Sequence, residues 1–353
     1  MKEALLYEQL PDKRVLCTAC SRYCNIPEGK IGLCGIRGNT GGKLQLFVYG
    51  KIIAGHVDPI EKKPVTHYNP GSKIFSIATT GCNWLCKYCQ NYDISQRRKV
   101  EGTDVTPEQV VMMAKEYRAD GIAYTYNEPT IFVEFAHDIG VIARKEGLLN
   151  IFVSNGFMTP QAIAMMDKFL DCITVDFKGS GEREFVRKFI GIPSADPIFA
   201  NLLEMKNRTR IHIEITDLIV PQAGDSIEAA KHLSKWVYDN LGPDTPIHFL
   251  RFHPDYKMMD YPMTPVETLV KHHKVAKEVG LNYAYVGNVP GHPLEHTYCP
   301  GCKQVVVKRF GYDILDWRMD KDNKCLNCGY KIAIVGSLSE SARTIRFHPI
   351  ALS

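Results

Sequence analysis

Cys82, Cys86 and Cys89 stand in one short run, Gly81-Cys82-Asn83-Trp84-Leu85-Cys86-Lys87-Tyr88-Cys89. Three thiolates so spaced can each bind one iron of a cubic iron–sulfur cluster, a unit that ordinarily takes four cysteine ligands. The nearest other cysteines are Cys34 and Cys172, so one iron is left open to a small molecule. That is an arrangement for chemistry rather than for storing electrons. The competing reading is a zinc loop completed by a distant ligand, for which His56 and His67 are available; zinc more often draws its ligands from two separate knuckles. Cys299, Cys302, Cys325 and Cys328 are such a pair, two Cys-x-x-Cys turns with 22 residues between them. This spacing suits tetrahedral zinc, with a rubredoxin-like iron site as the competitor. Residues 305–310 and 332–335 are its expected ribbon strands. Cys17, Cys20, Cys24 and Cys34 place four ligands within 18 residues and suit either a structural zinc or a second iron–sulfur cluster. Nothing around them looks like a substrate loop, which favours zinc. Cys172 opens an apolar run and reads as a small core residue.

These groups need elements to position them. Seven short apolar runs, 74–78, 122–126, 150–154, 173–177, 211–218, 247–252 and 282–286, read as strands. Segments with helix-entry signals lie between most of them. Thr106-Pro107-Glu108-Gln109 and Thr264-Pro265-Val266-Glu267 each place a capping residue and a first-turn proline before an amphipathic run. Between 130 and 143, Phe132, Phe135 and Ile139 share one helical face. Strands alternating with helices predict an α/β fold with a parallel sheet, open or curled into a barrel, whose chemistry gathers at the carboxyl ends of the strands. The first cysteine run follows the first of these strands directly.

The composition fits this. With 353 residues, 45% of them hydrophobic, and a formal net charge of +4, the chain is too apolar for disorder and too weakly charged to imply nucleic acid or a membrane as partner from bulk charge. No run reaches 18 apolar residues. The acidic opening from Met1 to Glu8 does not read as a secretory signal, so cytoplasmic location is expected. Eleven of the twelve cysteines fall into the three clusters, a pattern of metal binding rather than of disulfides. His292-Pro293-Leu294-Glu295-His296 has the outer histidines of a zinc-protease motif, but its glutamate is misplaced and its proline breaks the required helix. Lys271-His272-His273-Lys274 reads as a solvated helix face.

The run Cys-x-x-x-Cys-x-x-Cys, with Tyr88 before its last cysteine, resembles the signature of the radical S-adenosylmethionine (radical SAM) enzymes. The resemblance implies a partial (β/α)6 TIM-like barrel over residues 71–295. An N-terminal four-cysteine module with short strands (1–70) precedes it; a zinc ribbon (296–336) and a tail (337–353) follow. It also implies a 4Fe–4S cluster on Cys82, Cys86 and Cys89 and S-adenosylmethionine on the open iron, cleaved to methionine and a 5′-deoxyadenosyl radical. Glu128, in Tyr124-Thr125-Tyr126-Asn127-Glu128-Pro129, matches the family's carboxylate for the methionine amine, although the family's glycines are absent. Ser154-Asn155-Gly156 and Asp176-Phe177-Lys178 are similar to the Thr-Asn-Gly and Asp-x-Lys stretches of pyruvate formate-lyase activating enzyme, which line the ribose and methionine pocket. Val153 stands where those relatives place an aspartate for a monovalent cation. His253, in Leu250-Arg251-Phe252-His253-Pro254, resembles a histidine of the same barrel layer.

The order of parts resembles the radical SAM enzyme of the AmmeMemoRadiSam system, related to the glycyl-radical-enzyme activases. It rests on Gly32-Leu33-Cys34, Asp58-Pro59-Ile60-Glu61-Lys62-Lys63-Pro64, Thr125-Tyr126-Asn127-Glu128-Pro129 and Tyr285-Val286-Gly287-Asn288-Val289-Pro290-Gly291. That likeness implies activase-like hydrogen abstraction from a protein or peptide, Memo-like or Amme-type proteins as partners, and a flavodoxin or ferredoxin as electron donor. Three alternatives remain open: a radical SAM enzyme acting on a small metabolite, a pure electron carrier, and a non-catalytic scaffold docking nucleic acid or protein through its zinc knuckles.

Overall fold

All seven apolar runs form strands in the computed structural model, which describes residues 1–97 and 99–350. β1 (Ala54–Pro59) lies antiparallel to β2 (Lys73–Ala78). From β2 onward the strands are parallel: β3 (Gly121–Tyr124), β4 (Leu149–Ser154), β5 (Cys172–Lys178), β6 (His212–Ile219), β7 (Ile247–Arg251) and β8 (Ala284–Gly287). Their spatial order is their chain order. One longer helix crosses between each successive pair: α1 (Pro107–Glu116), α2 (Val133–Lys145), α3 (Pro160–Met166), α4 (Asp196–Arg208), α5 (Ile227–Asn240) and α6 (Val266–Val279). Six strand–helix units thus precede a seventh parallel strand.

Helices cover one face of the sheet and its own side chains fill the other, so the central strands are apolar almost throughout. Ile74, Phe75, Ile77 and Ala78 of β2 are buried, as are Cys172, Ile173, Val175 and Phe177 of β5. Cys172 is the core residue its setting implied, packed with Ile74, Ala123 and Ile151. Laid flat, β2 and β8 would stand about 29 Å apart. Yet Cys82, beyond β2, and Asn288, beyond β8, line one cavity; the sheet is therefore curled around it.

The helix entries differ in detail. Thr106 caps α1 with a full capping box, its hydroxyl accepting from Gln109 N. Thr264 does not cap α6. Its hydroxyl donates to Ile219 O (2.6 Å) and accepts from Phe252 N (2.8 Å), joining the ends of β6 and β7, because it is fully buried where those strand ends meet. Phe132, Phe135 and Ile139 face the core as expected. The Lys271–Lys274 stretch is only partly solvated. His272 is buried against Phe249, its Nδ1 bonded to Thr268 O at 2.7 Å, because the helical period turns that one position onto the sheet.

Residues 1–70 share the sheet's apolar core through Ala4, Val15, Ile36 and Leu44. Arg37 of this segment is buried in an ion pair with Glu134 at the start of α2 (Nη1 to Oε1, 3.0 Å), and Glu134 also accepts from Leu5 N (3.1 Å). At the other end, β9 (Val305–Phe310) forms a hairpin with β10 (Asp313–Trp317), not with residues 332–335 as expected. Gly311 (φ +58°) and Tyr312 make its two-residue turn, a conformation that glycine adopts freely. Ile332 and Ile334 pack instead around Cys299 and Cys325 in a small second core. The tail returns to the sheet as β11 (His348–Pro349), antiparallel to β1; positions 351–353 of it lie outside the described residues.

Candidate active site

The loop after β2 is fastened at several backbone points. Leu85 N bonds Ile190 O (3.0 Å), Lys87 N bonds Phe189 O (2.9 Å) and Lys87 O accepts from Lys257 N (2.8 Å). Trp84 is buried against Phe157 and Tyr88 against Phe185. Anchored this way, Cys82, Cys86 and Cys89 all line one cavity of about 280 Å³ at the carboxyl ends of the strands, near the lower end of ligand-site sizes. Cys82 Sγ accepts from Trp84 N (3.5 Å) and Cys89 Sγ lies 3.1 Å from Ser95 Oγ. Burial pushes all three thiols up, Cys86 to about 12, while nearby Lys178 acts in the opposite sense on Cys86 and Cys89. Metal binding is what deprotonates such buried thiols. Neither His56 nor His67 lines this cavity. His67 is engaged elsewhere, Nδ1 with Ala333 O (2.8 Å) and Nε2 with the Tyr285 hydroxyl (2.5 Å). The zinc alternative therefore lacks both of the ligands available to it.

The cavity also gathers Tyr88, Glu128, Asn155, Asp176, Lys178 and His253. Glu128 is buried at the end of β3. Its Oε1 accepts from Thr130 N (3.0 Å), Thr130 Oγ1 (2.5 Å) and Ser154 Oγ (2.8 Å), and its Oε2 from Asn155 N (2.8 Å). Oε2 thus keeps acceptor capacity that Oε1 has used. Burial outweighs these donors and raises the carboxyl pKa. Asn155 is spent within the protein, its Nδ2 on Asn83 Oδ1 (2.8 Å) and its Oδ1 on Phe157 N (3.0 Å). Asp176 takes the Lys178 ammonium on Oδ2 and the Thr216 hydroxyl on Oδ1 (2.6 Å). His253 is exposed at the rim.

Several lining residues escaped the sequence reading. Asn127 spans the β2 and β3 ends, donating to Gly81 O (2.9 Å) and Thr79 Oγ1 (3.2 Å). Asn91 donates to Tyr126 O (2.8 Å), and Arg251 and Asn288 close the β7–β8 side. The signals available were asparagines just after strand ends, at Tyr126-Asn127 and Gly287-Asn288, where Tyr126 (φ +68°) and Asn288 (φ +62°) turn the chain left-handed. Two polar atoms at this cavity, the Tyr88 hydroxyl and Asn127 Oδ1, are sealed from solvent without a hydrogen-bond partner among the described residues. Native proteins seldom leave such atoms unpaired, and a bound polar molecule would satisfy them.

The four C-terminal cysteines also converge. All four Sγ atoms lie within 4.8 Å of one another, with Cys299 to Cys328 at 3.5 Å and Cys302 to Cys325 at 3.7 Å. Tetrahedral Zn–S bonds of about 2.3 Å put sulfurs about 3.8 Å apart, so this group can hold one metal ion. Cys17, Cys20, Cys24 and Cys34 line a separate small cavity beside Asn83.

A model of the radical SAM superfamily matches residues 76–237. An uncharacterized protein of Methanocaldococcus jannaschii is 40% identical over 338 residues, covering 95% of this chain and all of the relative. A second protein of that organism, named for glycyl-radical enzyme activation, is 24% identical over 179 residues, 49% of this chain and 67% of the relative. Among solved structures, Streptococcus suis SuiB bound to S-adenosylmethionine superposes with a TM-score of 0.50 at 9% identity, over 65% of this chain and 53% of that one. A domain of pyruvate-formate lyase-activating enzyme from Bacteroides vulgatus gives a TM-score of 0.42 at 14% identity, over 48% of this chain and all of that one.

Proposed function

This chain belongs to the radical SAM superfamily, and on that premise we propose that Cys82, Cys86 and Cys89 hold a 4Fe–4S cluster whose fourth iron takes S-adenosylmethionine. The observation that carries this reading is the meeting of three cysteines from one loop with Glu128, Asp176 and Lys178 in a single cavity. When bound and reduced, the cluster supplies the electron that cleaves the sulfonium to methionine and a 5′-deoxyadenosyl radical, which abstracts hydrogen from a protein or peptide. The chain's own residues bind and orient. Glu128 Oε2 accepts from the methionine ammonium, Asp176 and Lys178 meet the ribose and carboxylate, and Leu218, Leu250 and Phe252 keep the far wall apolar. The polypeptide substrate, of Memo-like or Amme-type, rests on the order of motifs along the whole chain; so does a flavodoxin or ferredoxin as reductant. The C-terminal cysteines carry zinc in this reading, and the protein works in the cytoplasm. No helix of the described residues is long and apolar enough to cross a membrane.

The test is anaerobic loading with iron and sulfide, reduction with dithionite, and assay of S-adenosylmethionine for 5′-deoxyadenosine. The expected result is a brown protein that forms it. The Cys86→Ser variant should form at least ~100-fold less at unchanged far-ultraviolet circular dichroism. An iron-loaded protein that forms none overturns the proposal and favours the scaffold or electron-carrier reading; a variant as active as the parent overturns the assignment of Cys86 to the cluster.

A further inference from the structure

The run from Asp58 to Pro64 and the run from Thr125 to Pro129 are remote in sequence, and the structure joins them. Asp58, near the end of β1, is fully buried and does not line the cavity. Its Oδ1 takes the Lys62 ammonium at 2.7 Å, and its Oδ2 takes the Lys63 ammonium and the Tyr126 hydroxyl, each at 2.6 Å. Burial alone would raise the Asp58 pKa, but the two ammoniums outweigh it and hold the carboxylate ionised. Burial and the facing carboxylate raise the Tyr126 pKa, so its hydroxyl remains a donor. The Tyr126 ring is flanked by Lys63, whose Nζ stands 4.8 Å from its centroid, and by the His56 ring, 5.6 Å between centroids.

Tyr126 is also where the chain turns. Its φ of +68° is a conformation that a bulky residue keeps only when its surroundings fix it. Thr125 N still bonds Ile77 O of β2 (3.0 Å), whereas Asn127 N folds back onto Thr125 O (2.9 Å). Past this turn come Asn127 and Glu128, both in the cavity wall. The turn is tied to the cysteine loop at two points. Asn91 Nδ2 donates to Tyr126 O (2.8 Å), and Asn127 Nδ2 donates to Gly81 O (2.9 Å). Gly81 and Asn91 bracket the three cysteines in sequence. Glu128 is tied the other way, to Ser154 and Asn155 at the end of β4. Residues 126 and 127 therefore span the gap between Glu128 and the cysteines, and Asp58 anchors that span from outside the cavity.

We propose that Asp58, acting through Tyr126, is a positioning residue for S-adenosylmethionine: it fixes the turn that sets the Glu128 carboxylate opposite the loop of Cys82, Cys86 and Cys89. The inference rests on the cavity taking that molecule by its methionine ammonium. Hydrogen bonds weaken steeply as their geometry worsens. A loosened turn therefore weakens binding without removing any group that touches the ligand.

The experiment is anaerobic equilibrium dialysis of S-adenosylmethionine against the iron-loaded full chain and its variants. Tyr126→Phe removes only the hydroxyl, Asp58→Asn the charge it faces, and the double variant both. Lys62→Gln loosens the same carboxylate at its other oxygen and leaves Tyr126 untouched. At iron content equal to the parent's, Tyr126→Phe and Asp58→Asn should each raise the dissociation constant ~10-fold. The double variant should raise it no further than either one, and Lys62→Gln should stay within about twofold of the parent. The proposal is overturned by a Tyr126→Phe variant that binds as the parent does. Single effects that multiply in the double variant, or a Lys62→Gln variant weakened as much as Tyr126→Phe, overturn it too. Should one of Tyr126→Phe and Asp58→Asn not fold, the other decides against Lys62→Gln. A parent that does not bind S-adenosylmethionine is the separate failure of the cavity's reading, and this proposal falls with it.

Discussion

His67 shows how much a single side chain depends on its setting. Both ring nitrogens are bonded inside the protein, and burial pushes its pKa down to about 3. The unfolded ring takes up its proton near pH 6.5. Between about pH 3 and 6.5 the unfolded chain therefore binds more protons, and stability rises with pH across that window by at most about 1.4 kcal/mol per unit. The urea midpoint should fall from pH 7 to pH 4, and it should fall less in His67→Gln; equal falls would remove His67 from the response. At this scale the cysteines were legible from spacing alone, since chelation requires short loops. Glu128, Asn155, Asp176, Lys178 and His253 came from resemblance to a family. Asn127, Arg251 and Asn288 were not legible, because a polar residue at or just after a strand end looks the same whether it faces a cavity or solvent.

Among the elements, the loop between β2 and the cysteines is the most constrained. Gly81 sits at φ +90°, and any Cβ there would meet Cys34 O at 2.4 Å and Ile36 Cγ2 at 2.8 Å. A non-glycine residue in such a conformation costs about 1–3 kcal/mol before any clash. Gly81→Ala should lower the unfolding free energy of the iron-loaded protein, measured in urea, by at least that much and reduce the iron it retains. A midpoint and iron content equal to the parent's would show that the loop can move away. Strands were easy to read, since burial on both faces leaves near-continuous apolar runs. Their partners were harder. Residues 332–335 are as apolar as a strand, yet Asp313–Trp317 pairs with β9, because Gly311 allows the tight turn and the cysteines claim Ile332 and Ile334 for their own small core.

Across the molecule, the C-terminal tail meets residues 56–61 at the sheet edge. Arg346 is buried with its Nη1 2.6 Å from Glu61 Oε2, and Glu61 also accepts from Gly71 N (2.6 Å). Removing one member of a buried pair leaves the other charge without compensation, at a cost of about 3–5 kcal/mol. Arg346→Leu should lose that much stability in urea unfolding, and Arg346→Leu/Glu61→Leu should recover most of it. A double variant no more stable than the single one would show that Arg346 acts through packing alone. The residue order by itself determined the seven strands and the three cysteine groups, because apolar runs and chelating loops are written in neighbouring positions. Only the tertiary structure decided which polar groups face the common cavity, that the four C-terminal sulfurs converge, and that the tail lies on the sheet. Each of those depends on the curl of the sheet and on contacts between residues tens to hundreds of positions apart, which no local pattern encodes.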